Sequence, residues 1–167
     1  NMSLDDVKSI LHVPEDIDWQ FADEAGPVND ALKYDLMQNA APVLYNLITA
    51  EKDEGGPQYR VLMYTGEFDL VCGFMGTELI LQDMEWKYRE EWINLKRKVW
   101  VEPPVKTLGY VKSCHNLTQV SVPMAGHMVP LNRPMVSRMM AYNWLLKKSF
   151  PCYDPLEDVE GWKDYHV

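Results

Sequence analysis

The chain has 167 residues, 47% hydrophobic and 25% charged, and 16 Lys plus Arg against 25 Asp plus Glu give a net charge of −9. That apolar share excludes a disordered chain, and the length suffices to bury a real core. The acidic balance excludes nucleic acid as a partner, because phosphates demand a basic surface, and no apolar run approaches the ~20 residues of a membrane span.

Ser3 to His12 reads as a short helix. Ser3 can cap it, Leu4, Val7, Ile10 and Leu11 share one face, and Pro14 ends it. Asp16 to Pro27 is acidic and reads as a loop. Val28 to Ala50 has a helical period that Pro42 should kink or split. Gly55-Gly56-Pro57 marks a turn. Arg60 to Tyr64 is a short apolar run that suits a strand buried on both faces, as in a parallel sheet. Met75 to Trp86 is amphipathic and helical.

Trp92 to Lys112 holds two alternating stretches around Pro103-Pro104, the pattern of an antiparallel hairpin. The basic cluster Lys96-Arg97-Lys98 within it reads as a solvated edge. Leu117 to Val122 is a second buried strand and Pro123 to Pro130 a loop. Pro134 sits where helix starts favour proline, and Met135 to Lys148 is a helix with lysines in its last turn. The elements run helix, strand, helix, hairpin, strand, helix. That order specifies an α/β fold over residues 1–150, with two parallel strands joined by a long crossover. Residues 151–167 read as an acidic, irregular tail.

The chain opens at Asn1-Met2-Ser3 without a signal peptide, so the expectation is a protein that acts where it is made or has been cut from something larger. Asn1 and Asn116 begin glycosylation sequons. Cys72, Cys114 and Cys152 are odd in number, so at least one thiol is free or pairs outside the chain. Cys114 and Cys152 either pair or are buried thiols. The cysteines and His12, His115, His127 and His166 show no zinc-ligand spacing, and neither metal nor cofactor is expected.

Ligands of open α/β sheets gather at the carboxyl ends of strands. Asp69 follows the first strand and His127 the second, each in a glycine-containing loop. Such a pair supplies two-thirds of a nucleophilic triad, with the carboxylate orienting an imidazole that shuttles the proton. Their chain order matches the Ser, Asp, His order of α/β-hydrolases. The pattern also fits a plainer reading, with Asp69 a turn or cap residue and His127 a loop histidine. None of the six serines (Ser3, Ser9, Ser113, Ser121, Ser137, Ser149) lies in the Gly-x-Ser-x-Gly context of a nucleophile elbow. A catalytic serine would therefore belong to polypeptide outside this chain.

Val61-Leu62-Met63-Tyr64-Thr65-Gly66-Glu67-Phe68-Asp69, followed by Cys72-Gly73-Phe74-Met75-Gly76, resembles the aspartate segment of the serine carboxypeptidases. Ala125-Gly126-His127-Met128-Val129-Pro130, with Pro134 and Trp144 behind it, resembles their histidine segment. Trp86-Lys87-Tyr88, Gly109 to Ser113, Val7 to Pro14 and Trp19 extend the likeness, which is to the C-terminal third of a family member. Departures are Glu67 in place of the usual aspartate, and Gln20 and Phe21 near Trp19, where a cysteine is general.

The resemblance implies the C-terminal portion of an α/β-hydrolase fold. It implies removal of C-terminal residues from peptides, in a vacuole, a lysosome or outside the cell. Asp69 would be the triad aspartate and His127 the general base. Cys72 would border the substrate pocket and Met128 would lie near the leaving residue. The partner would be a large N-terminal chain carrying the serine, as in family members that mature into two chains. A serine carboxypeptidase-like acyltransferase, a hydroxynitrile lyase, or a non-catalytic protective or regulatory fragment are the alternatives. One third of a sheet also leaves an open strand edge and an apolar face. The chain should accordingly pack against a large chain or a second copy, and be poorly soluble alone.

Overall fold

A computed structural model describes residues 3–17, 26–36, 38–102 and 106–153. The chain divides into two compact units, residues 1–39 and 40–167. Asn1, Trp19, most of the acidic stretch after Asp16, Pro103-Pro104 and the tail beyond Tyr153 lie outside the described residues.

The first unit holds α1 (Leu4–Ile10) and α2 (Pro27–Leu32). Ser3 caps α1 as expected, and the cap is a capping box: Ser3 Oγ accepts from Asp6 N, and the Asp6 carboxylate accepts from Ser3 N. Gly26 and Pro27 open α2.

The second unit runs α3 (Ala41–Thr49), β1 (Val61–Gly66), α4 (Phe74–Asp83), α5 (Arg89–Asn94), β2 (Lys98–Glu102), β3 (Lys106–Cys114), β4 (Leu117–Val122), α6 (Val129–Asn132), α7 (Pro134–Leu145) and β5 (Cys152–Tyr153). The helical stretch around Pro42 is split as expected, and Pro42 occupies the first turn of α3, where its missing N–H has no cost. Gly55 and Gly56 turn the chain before β1 at φ 87° and 80°.

The sheet order is β1-β4-β3-β2-β5. β1 and β4 are parallel, with Val61 opposite Leu117 and Gly66 opposite Val122. β4 pairs antiparallel with β3, and β3 with β2, so the hairpin lies beside the parallel pair. Helices cover both faces. Trp100, Leu108, Val120, Val122, Val136 and Met140 pack on the α7 side. Ile48, Leu81, Trp86, Trp92, Cys114 and Leu117 pack on the side of α3, α4 and α5. The alternation of β4 separates these clusters, and β4 is the strand buried on both faces.

Several expectations are corrected. β1 is an edge strand with β4 as its one neighbour among the described residues, and Tyr64 is exposed, so it is not buried on both faces. Trp92 belongs to α5 and is fully buried there, so the hairpin begins only at Lys98. Arg97 is not a solvated edge: its guanidinium bonds Glu78 and Gln119 at 2.9 and 2.8 Å. The loop after β4 gives way to α6 at Val129, and Lys147 and Lys148 lie beyond the end of α7. Cys152–Tyr153 is not irregular: it pairs antiparallel with β2. Of the two alternatives left open for Cys114 and Cys152, the structure shows free thiols, Cys114 buried and Cys152 half-buried.

Glu78 anchors a polar network in the face under α4. Its carboxylate receives Lys112 Nζ at 2.8 Å and Arg97 Nη2 at 2.9 Å. Gln119, fully buried on β4, accepts from Arg97 and donates to Thr77 Oγ1 at 3.0 Å. Lys112 lies over the Trp92 ring and Arg97 over the Phe74 ring. The aromatic faces and the carboxylate together offset the cost of burying two cations.

Candidate active site

The site forms where β1 and β4 end side by side. Each strand feeds a short loop, and backbone contacts lock the two together. Glu67 N donates to Val122 O at 3.1 Å and Phe68 N to Ala125 O at 2.9 Å. Gly66 makes the approach possible: a Cβ there would fall on the carbonyl oxygens of Ala125 and Gly126. On the other side, Asn132 Oδ1 accepts from Gly126 N at 2.9 Å, and Arg133 Nη1 donates to Pro123 O at 2.9 Å.

Asp69 is held from two directions. Its Oδ1 accepts the backbone N–H groups of Val71 and Cys72 at 2.8 and 2.9 Å, closing a tight side-chain turn. Its Oδ2 lies 3.0 Å from His127 Nδ1. The Asp69 side chain is only 4% exposed, whereas that of His127 is 59% exposed. The Asp69 carboxyl is held below its ordinary value of 3.8, chiefly by the Cys72 N–H. Burial opposes this, and the Val71 N–H and His127 add to it.

The chemical consequence is a fixed tautomer. In the neutral ring an N–H on Nδ1 donates to Oδ2, and Nε2 keeps its lone pair on the far side of the ring. Among the described residues, no hydrogen bond links the ring to a serine hydroxyl. The buried carboxylate fixes the orientation of the ring through this one contact. That is what a general base requires of its neighbour.

Of the other sequence candidates, Cys72 is brought to the pair. Its Sγ, an Asp69 carboxylate oxygen and a His127 ring nitrogen lie within 4.8 Å of one another, and Cys72 is exposed. These donors have the types that a soft divalent cation takes, although the linear spacing shows no ligand pair. Met128 follows His127 with its side chain exposed, and its carbonyl accepts from the Leu131 and Asn132 N–H groups that open α6. Asn116, the second sequon residue, lies at the turn before β4. It is buried, and its Nδ2 donates to Ile48 O and Tyr59 O at 3.1 and 2.9 Å, which uses both amide hydrogens within the fold. Asn1 lies outside the described residues.

Sequence reasoning missed the clamps. Gly66 carries a visible signal, a glycine at the end of an apolar run, but the reason for it lies 59 residues further on, at Ala125. Asn132 and Arg133 carry none, because their partners are main-chain groups of another loop.

The rim of the site is apolar. Phe68, Leu70, Val71, Met75, Met128 and Leu131 are all more than half exposed. No helix among the described residues is long and apolar enough to cross a membrane.

The family model described as serine carboxypeptidase matches residues 2–147. A venom serine carboxypeptidase of Apis mellifera is 35% identical over 129 residues, covering 77% of this chain and 25% of the relative. The lysosomal protective protein of Mus musculus is 29% identical over 150 residues, covering 86% of this chain and 28% of the relative. The solved structure of a prohormone-processing carboxypeptidase from Saccharomyces cerevisiae superposes with a TM-score of 0.63 at 24% identity. It covers 85% of this chain and 29% of that one, and the shared fold is of the α/β-hydrolase type. The chain thus spans about a quarter to three-tenths of the length of these proteins. With a mixed sheet, paired strand ends and a family match over nearly its whole length, the chain belongs to the serine carboxypeptidase family.

Proposed function

We propose that this chain is the C-terminal part, or the small chain, of a serine carboxypeptidase that hydrolyses C-terminal residues of peptides. His127 is the general base, Asp69 orients it, and the nucleophilic serine is supplied by polypeptide outside residues 1–167. The observation that carries the reading is the 3.0 Å contact between His127 Nδ1 and Asp69 Oδ2 at adjacent strand ends.

In the reaction, His127 Nε2 takes the proton of the serine hydroxyl as the serine oxygen attacks the scissile carbonyl. The imidazolium then gives that proton to the leaving amine, and the C–N bond breaks to leave an acyl-enzyme. Water repeats the sequence: His127 accepts its proton, the hydroxide attacks the ester, and the proton returns to the serine oxygen. Asp69 stays ionised throughout. Cys72 and Met128 border the residues of the peptide flanking the scissile bond. This chain alone is inactive. The exposed apolar rim is the surface against which the serine-bearing portion packs.

A lysosomal, vacuolar or secreted setting is supported by the names of two relatives, the lysosomal protective protein and the venom carboxypeptidase. The test is peptidase turnover of the complete enzyme with Asp69→Asn. Asn keeps an acceptor for the Val71 and Cys72 N–H groups but lacks the charge, and turnover should fall on the order of 10⁴-fold. Near-unchanged turnover would remove Asp69 from the mechanism.

A further inference from the structure

At the opposite end of β4 from the Asp69–His127 pair lies a second group of chemically reactive side chains. Cys114 is the last residue of β3, and His115 opens the two-residue turn into β4. Glu91 comes from α5, which packs on β3. One donor atom from each residue, a carboxylate oxygen, a sulfur and a ring nitrogen, lie within 4.8 Å of one another. His115 Nε2 is 2.8 Å from Glu91 Oε2. The His115 ring is held flat against Tyr88, with centroids 3.6 Å apart and planes 19° apart.

The three residues are arranged by solvent access. Cys114 is 2% exposed, whereas Glu91 and His115 are open to water. His115 and Tyr88 also line a cavity of about 450 Å³, with Trp86, Lys87 and Glu51 on its walls. A cation seated between the sulfur and the two outer donors would therefore keep an open side for water.

We propose that Glu91, Cys114 and His115 form a binding site for one divalent cation of the Zn²⁺ type, coordinated by a carboxylate oxygen, the Cys114 sulfur, a His115 ring nitrogen and a water molecule. One thiol, one imidazole and one carboxylate are the donor set that such borderline-soft ions take. Bond lengths of ~2.0–2.3 Å put tetrahedral ligand atoms roughly 3.3–3.8 Å apart. Binding requires the three donor atoms, now within 4.8 Å of one another, to reach that range, with Glu91 and His115 parting from their 2.8 Å contact to admit the ion. As the metal–sulfur bond forms, the Cys114 thiol proton leaves to solvent. The bound ion joins α5 to the β3–β4 turn, a link that an exposed Glu–His pair alone makes only weakly.

The test is titration of the full chain in a Cys72→Ser background, which removes the thiol beside Asp69 and His127. Co²⁺ should bind one to one with a sulfur-to-cobalt charge-transfer band and tetrahedral visible bands, and equimolar Zn²⁺ should displace it. Adding Cys114→Ser should abolish the charge-transfer band. His115→Ala or Glu91→Gln should weaken Zn²⁺ by more than the ~10–100-fold that loss of an outer-shell partner costs. These two side chains are exposed, so both variants remain informative if Cys114→Ser does not fold. Absence of one-to-one binding in the Cys72→Ser chain would overturn the proposal, as would an affinity unmoved by His115→Ala.

Discussion

Gly66 and Ala125 touch through their main chains: the last residue of β1 has room for a hydrogen and nothing larger beneath the carbonyl of the loop that carries His127. A Gly66→Ala methyl would meet the carbonyl oxygens of both Ala125 and Gly126, which are backbone and cannot swing aside. The two loops should separate and the His127–Asp69 contact should open. We expect a loss of stability of about 1–3 kcal/mol, with disappearance of the hydrogen-bonded His127 Nδ1 proton resonance. An unchanged resonance would mean that the loops are positioned by something else.

Protonation of Asp69 supplies a pH signature. Because folding holds its carboxyl below 3.8, the folded state binds fewer protons there than the unfolded state at acid pH. Its contribution is present above 3.8 and is lost as pH falls through the lowered folded value. The difference in urea midpoint between the native chain and Asp69→Asn should be constant above pH ~4 and shrink at lower pH. A difference independent of pH down to acid unfolding would contradict this.

The Glu78 network makes a separate forecast about stability. Lys112 is nearly inaccessible, and Glu78 is the carboxylate that both it and Arg97 meet. Glu78→Ala leaves two cations beneath α4 without a counter-charge, at a cost of roughly 3–5 kcal/mol. Glu78→Gln should cost less, since it retains the acceptor oxygen. Denaturant unfolding of the two variants measures the difference directly. Equal costs would show that the lost charge, not the lost acceptor, dominates there.

Thiol reactivity should divide the cysteines. Cys72 is exposed beside the site, while burial, reinforced by Glu91, pushes the Cys114 thiol up to about 12. Burial also raises Cys152. Iodoacetamide at pH 8 should modify Cys72 first and leave Cys114 untouched until the chain unfolds. Peptide mapping by mass spectrometry follows each site, and early labelling of Cys114 would contradict the burial.

Much of this arrangement is legible in the residues. Ser3, Pro134 and the Leu117 to Val122 run announce their elements, because caps and apolar period are local properties. The placement of Asp69 and His127 after two strands follows from the same signals. Where reading failed, the cause is non-local or short. α5 has six residues, too few for a helical period to separate from the alternation around Trp92. Arg97 looks solvated because Glu78, its partner, lies 19 residues away on α4. Cys152–Tyr153 becomes a strand because β2 presents it an edge. Cys114 and His115 are neighbours in sequence, yet the third donor, Glu91, reaches them only through the packing of α5 on β3.

The most direct test of the central claim is labelling with a fluorophosphonate, followed by mapping of the modified serine. The isolated chain should remain unlabelled at all six of its serines. The complete enzyme should be labelled at one serine outside residues 1–167, and His127→Ala should suppress that labelling. Modification of a serine within this chain, or labelling of the complete enzyme that is indifferent to His127→Ala, would contradict the account.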